Sequence, residues 1–157
     1  MASSDTHATT PDPATGPVLF AYDGCDLAKL AIEQAGRQLA PGRDALVLCV
    51  WQTGDVGFVP TGEQHFNAAQ ATEVRRAAEE TAEHGASLAE KAGFRPQSLT
   101  IEAAPTWKGI VEVSEEREAG LIVLGPHRRS GLVGHLLGSV TAAVVEHAAT
   151  SVLVVRS

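Results

Sequence analysis

The sequence has few aromatic residues, few cysteines and no long apolar run. Phe, Trp and Tyr together make up 4% of the 157 residues, and there are two cysteines. Two cysteines do not make the disulfide framework of a small secreted domain, so we interpret both as thiols. A helix that spans a membrane needs about 20 predominantly apolar residues in succession. The sequence contains no such stretch, so we expect no membrane-spanning helix.

Positive charge is also scarce. Twelve Lys and Arg residues against nineteen Asp and Glu residues give a net charge of −7 at pH 7. Broad binding to nucleic acid or to an anionic membrane depends on a positive protein surface, so we expect neither as a partner. The exception is the segment 125–157, which carries Arg128, Arg129 and Arg156 against one acid, Glu146. One basic segment in an acidic chain fits a small anionic ligand better than a polynucleotide.

The first 16 residues lack both the basic start and the apolar stretch of a secretory signal. They are rich in Ser, Thr, Pro and Asp, with too few apolar side chains to offset the entropy lost on ordering. We therefore predict a disordered tail over 1–16 and one domain over 17–157. Without an export signal, the expected location is the cytoplasm.

Five short apolar runs alternate with helical patterns along the chain. The runs cover 18–22, 45–51, 98–103, 121–124 and 151–155. Most are continuous rather than alternating, as in strands that are covered on both faces. Apolar residues at helical spacing lie between them, over 27–39, 67–92, 106–117 and 139–149. This order predicts an α/β fold, a single-domain open five-stranded parallel sheet with helices on both faces and a Rossmann-like layering.

A glycine-rich segment follows the fourth apolar run and ends at Gly138, directly before Ser139 at the expected start of the last helix. Free backbone N–H groups and the positive end of the helix dipole suit a phosphate there, and so do the hydroxyls of Ser139 and Thr141. Alternatively, Ser139 is only a helix cap and the glycines only form turns. Phosphate binding is favoured because open parallel sheets bind ligands beyond the carboxyl ends of their strands.

Two common nucleotide motifs are missing. The glycine-rich segment has no lysine and does not match the P-loop pattern G-x-x-x-x-G-K-[ST]. The turn after the first run, which contains Asp23 and Gly24, does not match the dinucleotide pattern G-x-G-x-x-G. Asp23 at the carboxyl end of the first strand could accept hydrogen bonds from ribose hydroxyls, and it could also cap the next helix.

Catalysis has little support in the sequence. Asp23 is the one carboxylate expected at the binding edge, and His127 is more simply a ligand contact than a base. Cys25 stands where a helix N-terminus could lower a thiol pKa, but a polar residue near a cap is the simpler interpretation. Four other histidines show no metal-ligand spacing with Cys or acidic residues: His65, His84, His135 and His147. We expect no enzyme beyond weak ATP hydrolysis.

Three separated motifs resemble the universal stress protein family. They are V-L-F-A-Y-D-G over 18–24, A-G-L-I-V-L-G over 119–125, and the segment 125–139. The last is similar to the family's ATP-binding signature G-x2-G-x9-G-[ST], with Gly125, Gly138 and Ser139 at the signature positions. Arg128 occupies the position of the second glycine, and Gly120 replaces the usual Asp after the alanine.

The resemblance implies a ligand and its contacts. The ligand is ATP or another adenine nucleotide, with or without Mg²⁺. Asp23 would contact the ribose and the backbone at Val50 the adenine. The phosphates would be held by a group of four residues: Gly125, Gly138, Ser139 and Val140. The side chain of Arg128 either blocks the close approach that glycine allows or pairs with the phosphates itself.

We therefore interpret the chain as a small cytoplasmic module of the stress response that binds adenine nucleotides. The resemblance also implies a homodimer through the last strand, from Ser151 to Val155, which we place at the sheet edge because it ends the chain. The alternative is a stress scaffold of the same fold that has lost ATP binding and acts through protein partners.

Overall fold

The computed structural model describes residues 11–52, 68–126 and 137–156, and five strands and four helices lie within these ranges. The strands are β1 (Val18–Ala21), β2 (Asp44–Trp51), β3 (Arg95–Glu102), β4 (Leu121–Leu124) and β5 (Ser151–Val154). The helices are α1 (Asp26–Gln38), α2 (Ala68–Lys91), α3 (Thr106–Glu116) and α4 (Ser139–His147). All paired strands are parallel, so the predicted α/β class with a five-stranded parallel sheet is confirmed.

The strand order is β3-β2-β1-β4-β5. The chain builds the sheet outward from β1 to β3, and then returns to the other side of β1 for β4 and β5. The order therefore reverses between β1 and β4, and this reversal opens a crevice at the carboxyl ends of the two strands. Strand β5 lies at the sheet edge, as predicted from its place at the end of the chain.

Helices cover the sheet on both faces. Successive residues of a strand face opposite sides of a sheet, and in β1 the buried Val18 and Phe20 pack in one core while Leu19 packs in the other. The first core includes the buried face of α1, with Ile32 at its centre. The second includes Ile110 of α3. Burial on both faces explains why the strands are continuous apolar runs rather than alternating ones.

Strand β3 begins three residues before the run that predicted it. Arg95, Pro96 and Gln97 pair with the first residues of β2 although two of the three are exposed. The polar composition of this stretch hid it from the hydrophobic pattern. Its strand conformation comes from the backbone ladder at the sheet edge, which does not require apolar side chains.

The predicted disordered tail lies partly outside the described residues, which begin at 11. Residues 11–16 contain a turn in which the N–H of Gly16 donates to the carbonyl of Asp12 (2.7 Å). The guanidinium of the buried Arg43 donates to the carbonyl of Gly16 and holds this turn against the domain. The division into a tail over 1–16 and a domain over 17–157 stays a prediction.

Within the described ranges, no helix combines the length and the apolar character that crossing a bilayer requires.

Candidate functional site

A cleft of about 330 Å³ lies at the carboxyl ends of the central strands, where the strand order reverses. Fourteen described residues line it: Ala21, Tyr22, Asp23, Cys25, Ala28, Leu48, Val50, Thr106, Ile110, Leu124, Gly125, Pro126, Val140 and Thr141. The cleft contains five of the predicted site residues, namely Asp23, Val50, Gly125, Val140 and Thr141. Two others, Gly138 and Ser139, do not line it, and Arg128 lies outside the described residues.

Asp23 stands at the mouth of the cleft, directly after β1 and Tyr22. Its side chain is exposed, and its Oδ1 accepts a hydrogen bond from the backbone N–H of Cys25 (3.0 Å). Gly24 between them has φ of +84°, a conformation that other residues rarely adopt. The tight turn therefore fixes the carboxylate of Asp23 beside the start of α1, and it also keeps the carboxylate in contact with solvent.

Cys25 is the N-cap of α1. Its Sγ accepts a hydrogen bond from the N–H of Ala28 (3.4 Å). Burial raises the pKa of the Cys25 thiol, and the hydrogen bond with Asp23 raises the pKa further. The helix N-terminus does not give a lowered pKa here. The structure thus supports the cap interpretation over an activated thiol.

Gly125 directly follows β4, and its small size serves packing as well as any ligand. A Cβ at this position would lie 2.7 Å from the backbone oxygen of Leu27, so only glycine lets β4 approach α1 this closely. The hydroxyl of Thr141 donates to the Gly125 carbonyl (3.2 Å). Thr141 is buried, and its hydrogen bond joins α4 to the residue that follows β4. Its hydroxyl proton is therefore not directed to a phosphate.

Helix α4 begins at Ser139 with Gly138 as the N-cap, and no side chain caps it. The alternative interpretation of Ser139 as the helix cap is therefore wrong, because Ser139 is the first helical residue and is exposed. The first turn of α4 brings Val140 and Thr141 to the cleft. The N–H groups of such a first turn have no partners within the helix and form a natural site for anions.

The other end of the cleft is apolar except for one hydroxyl. Leu48 and Val50 of β2 and Ile110 of α3 line it, together with Thr106 at the first position of α3. The side-chain amide of Gln52 donates to Oγ1 of Thr106 (3.0 Å). Sequence reasoning missed Thr106, although its place at the start of the helix that follows β3 puts it at the binding edge.

Tyr22 was also missed as a site residue, because in the sequence it is the last residue of the apolar run 18–22. Its ring is 3% exposed and its hydroxyl lies 2.8 Å from Nδ1 of His84 on α2. Burial raises the pKa of Tyr22, and the neighbouring carboxylate of Asp23 raises the pKa further. The tyrosine is therefore neutral at physiological pH and supplies a rigid wall of the cleft.

Asp23 is the one charged side chain among the described residues that line the cleft. The described ranges contain no cluster of three His, Cys, Asp or Glu residues that could hold a metal ion. A Mg²⁺ site usually needs more than one hard oxygen ligand in addition to water. The described residues thus do not fit a protein-held Mg²⁺, and they form a binding cleft with one carboxylate at its mouth and apolar residues along one part of its wall.

Comparison with known proteins agrees with this architecture. The model of the universal stress protein family matches residues 15–156. A universal stress protein of Mycobacterium tuberculosis is 34% identical over 149 residues, which are 95% of this chain and 48% of that protein. The chain spans about half the length of the curated relatives it matches.

Two solved structures show the same fold. The hypothetical protein MJ0577 superposes with a TM-score of 0.74 at 22% identity, and the match covers 92% of this chain and 97% of that one. A universal stress protein in complex with cAMP has a TM-score of 0.57 at 25% identity, with 91% and 98% covered.

Proposed function

The chain belongs to the universal stress protein family, and from this membership and its cleft we propose that it is a stress-response module that binds an adenine nucleotide. The cleft at the carboxyl ends of β1 and β4 is the observation that carries the proposal. It brings together five residues that were predicted from separate parts of the sequence. A solved relative that is a complex with cAMP supports an adenine ligand.

The distribution of polar groups favours one orientation of the nucleotide. The apolar walls from Leu48, Val50 and Ile110 suit a flat base. The carboxylate of Asp23 suits the ribose hydroxyls, because a charged acceptor makes the stronger kind of hydrogen bond. The first turn of α4 suits the phosphates, with the N–H groups near Val140 as donors. In this proposal Gly125, Gly138 and Ser139 border the phosphates, and any Mg²⁺ arrives with the nucleotide.

Arg128 belongs to the proposed phosphate end, although it lies outside the described residues. Replacing it by glycine restores the signature that the family's ATP-binding members carry. Tighter ATP binding in Arg128→Gly would show that the side chain obstructs the site. Weaker binding would show that the guanidinium pairs with the phosphates.

We assign the protein no strong catalytic activity, and at most weak ATP hydrolysis. A hydrolase needs a base that is placed to activate water. The carboxylate of Asp23, the one charged group of the described lining, already accepts the N–H of Cys25.

A cytoplasmic homodimer completes the proposal. Strand β5 is an edge strand of the sheet that the described residues form, and its residues Val152, Leu153 and Val154 are only partly buried. Val145 on the neighbouring α4 is 48% exposed. An apolar edge strand of this kind favours pairing with a second copy. We include neither nucleic acid nor a membrane among the partners, given the net charge of −7.

Mass spectrometry of ligand released from freshly purified protein tests the function. We expect ATP, ADP or AMP in the released fraction, and a stabilisation of the stripped protein when the nucleotide is added back. A protein that releases no nucleotide and shows no thermal shift at millimolar ATP, ADP and AMP would instead be a scaffold that acts through protein partners.

A further inference from the structure

The polar side chains that line the cleft differ in how their hydrogen-bonding groups are used. The Tyr22 hydroxyl is bonded to His84, and the Thr141 hydroxyl donates to the carbonyl of Gly125. The Thr106 hydroxyl is different, because it accepts a hydrogen bond from the Gln52 amide. A threonine hydroxyl has one proton to donate in addition to its acceptor sites. No described residue accepts the Thr106 proton, so it is available to a ligand in the cleft.

The place of Thr106 along the sheet edge indicates which part of a nucleotide it meets. Thr106 follows β3, whereas Asp23 follows β1 and Gly125 follows β4. In the strand order β3-β2-β1-β4, Asp23 therefore lies between Thr106 and the phosphate end at α4. If Asp23 meets the ribose, Thr106 lies on the side of the base.

The surroundings of Thr106 also suit a base. Its neighbours in the lining are the apolar residues Val50 and Ile110, which would cover the faces of a planar ring. A hydroxyl among apolar walls sets orientation, because burying a polar ring atom without a partner is unfavourable. Thr106 is in the first turn of α3, and the positive end of the helix dipole favours an electron-rich acceptor there.

We infer that the Thr106 hydroxyl, oriented by the amide of Gln52, donates a hydrogen bond to a ring nitrogen of the bound base and so fixes the orientation of the base in the cleft. This inference rests on the proposed nucleotide binding and assigns a residue that none of the three sequence motifs contains. Adenine carries unprotonated ring nitrogens at positions 1, 3 and 7, and each of them is a suitable acceptor.

Calorimetric titration with AMP tests the inference in three variants. Thr106→Val keeps the shape of the side chain and removes the hydroxyl, and we expect AMP affinity to fall about tenfold. Thr106→Ser restores the hydroxyl and should bind AMP within about threefold of the wild type. Thr72→Val is the matched control, since Thr72 is exposed on α2 and its hydroxyl donates to its own helix at Ala68.

Analogues of AMP with one ring nitrogen replaced by C–H separate recognition from a structural role. We expect one of the 1-deaza, 3-deaza and 7-deaza analogues to bind the wild type and Thr106→Val equally, because its partner atom for the hydroxyl is gone. If Thr106→Val weakens all three analogues as much as it weakens AMP, or weakens none of the four ligands, the inference is wrong. A wild type that binds no AMP, ADP or ATP would instead overturn the proposed function itself.

Discussion

The hydroxyl of Tyr22 lies 2.8 Å from Nδ1 of His84, and this hydrogen bond joins the cleft to the middle of α2. The contact is close because Gly85, the next residue of α2, has no side chain. A Cβ at Gly85 would lie 2.6 Å from Cδ1 of Tyr22 and 2.7 Å from Cγ1 of Val47. The glycine thus lets a long helix pack directly on the tyrosine that precedes Asp23.

We predict that Gly85→Ala destabilises the fold. The added methyl group has to displace a buried ring and a buried valine, and overpacking of this kind costs about 1–3 kcal/mol. This exceeds the gain of about 1 kcal/mol that alanine brings to a helix interior. Urea unfolding followed by circular dichroism measures the difference. Ser87→Ala, at an exposed position of the same helix, should leave the free energy of unfolding nearly unchanged.

Removing the Tyr22 hydroxyl should have a smaller effect. Tyr22→Phe keeps the ring that fills the space under Gly85 and deletes only the bond to His84. A net loss of about 1 kcal/mol in unfolding free energy is expected, as for a typical intramolecular hydrogen bond. The same urea titration measures it. Equal stability of the wild type and Tyr22→Phe would show that the bond contributes nothing to stability.

Nucleotide binding should protect Cys25 from alkylation. Cys25 lines the cleft, whereas Cys49 is 8% exposed and lies in another cluster. We expect saturating AMP to slow the reaction of Cys25 with N-ethylmaleimide about tenfold or more, as measured by mass spectrometry of the labelled peptides. Cys25→Ser supplies the background rate of Cys49. An unchanged rate at Cys25 in the presence of bound AMP would place the nucleotide elsewhere.

The same reaction should depend on pH in a defined direction. Thiolate is the reactive form, and burial together with Asp23 raises the pKa of Cys25. Labelling of the free protein at pH 7 should therefore be slower than labelling of an unfolded peptide, and it should rise at higher pH than the peptide's rate does. If the labelling rate of the folded protein rises at a lower pH than the labelling rate of the peptide, the raised pKa is contradicted.

Dimerisation through β5 should be sensitive to charge beside the strand. Val145 is exposed on α4, the helix that contacts β5, so Val145→Glu tests whether the proposed apolar interface extends onto this helix. We expect light scattering at micromolar concentration to give a dimer mass for the wild type and a monomer mass for this variant. Ala77→Glu, at an exposed position on α2, should remain dimeric. A monomeric wild type would refute the dimer.

Most of the fold could be predicted from the sequence because each element buries apolar residues on a recognisable spacing. The exception at Arg95, Pro96 and Gln97 shows the limit, since an edge strand is held by backbone pairing and needs no apolar side chains. The site was predictable where a residue lies just beyond the carboxyl end of a strand, as Asp23 and Gly125 do. The hydrogen-bond partner of a side-chain hydroxyl could not be predicted in this way.

Thr106 and Tyr22 were missed for that reason. Their roles depend on partners far away in the chain, Gln52 for the first and His84 for the second. Spacing along a helix or strand contains no information about such pairs. In the same way the sequence suggested that the Thr141 hydroxyl serves a phosphate, whereas the fold uses it to join α4 to Gly125.

We propose that an adenine nucleotide binds in this cleft with its ribose at Asp23. Calorimetric titration of the nucleotide-free protein with ATP, ADP and AMP tests this binding mode. The same titration is carried out on Asp23→Ala and on the control Asp26→Ala. The carboxylate of Asp26 is fully exposed and does not line the cleft. We predict that the wild type and Asp26→Ala bind the nucleotide with similar affinity. The affinity of Asp23→Ala should be lower by about tenfold or more, since a hydrogen bond to a charged group contributes about 1.5–3 kcal/mol. Absence of binding at millimolar nucleotide, or equal affinity in all three proteins, would contradict the claim.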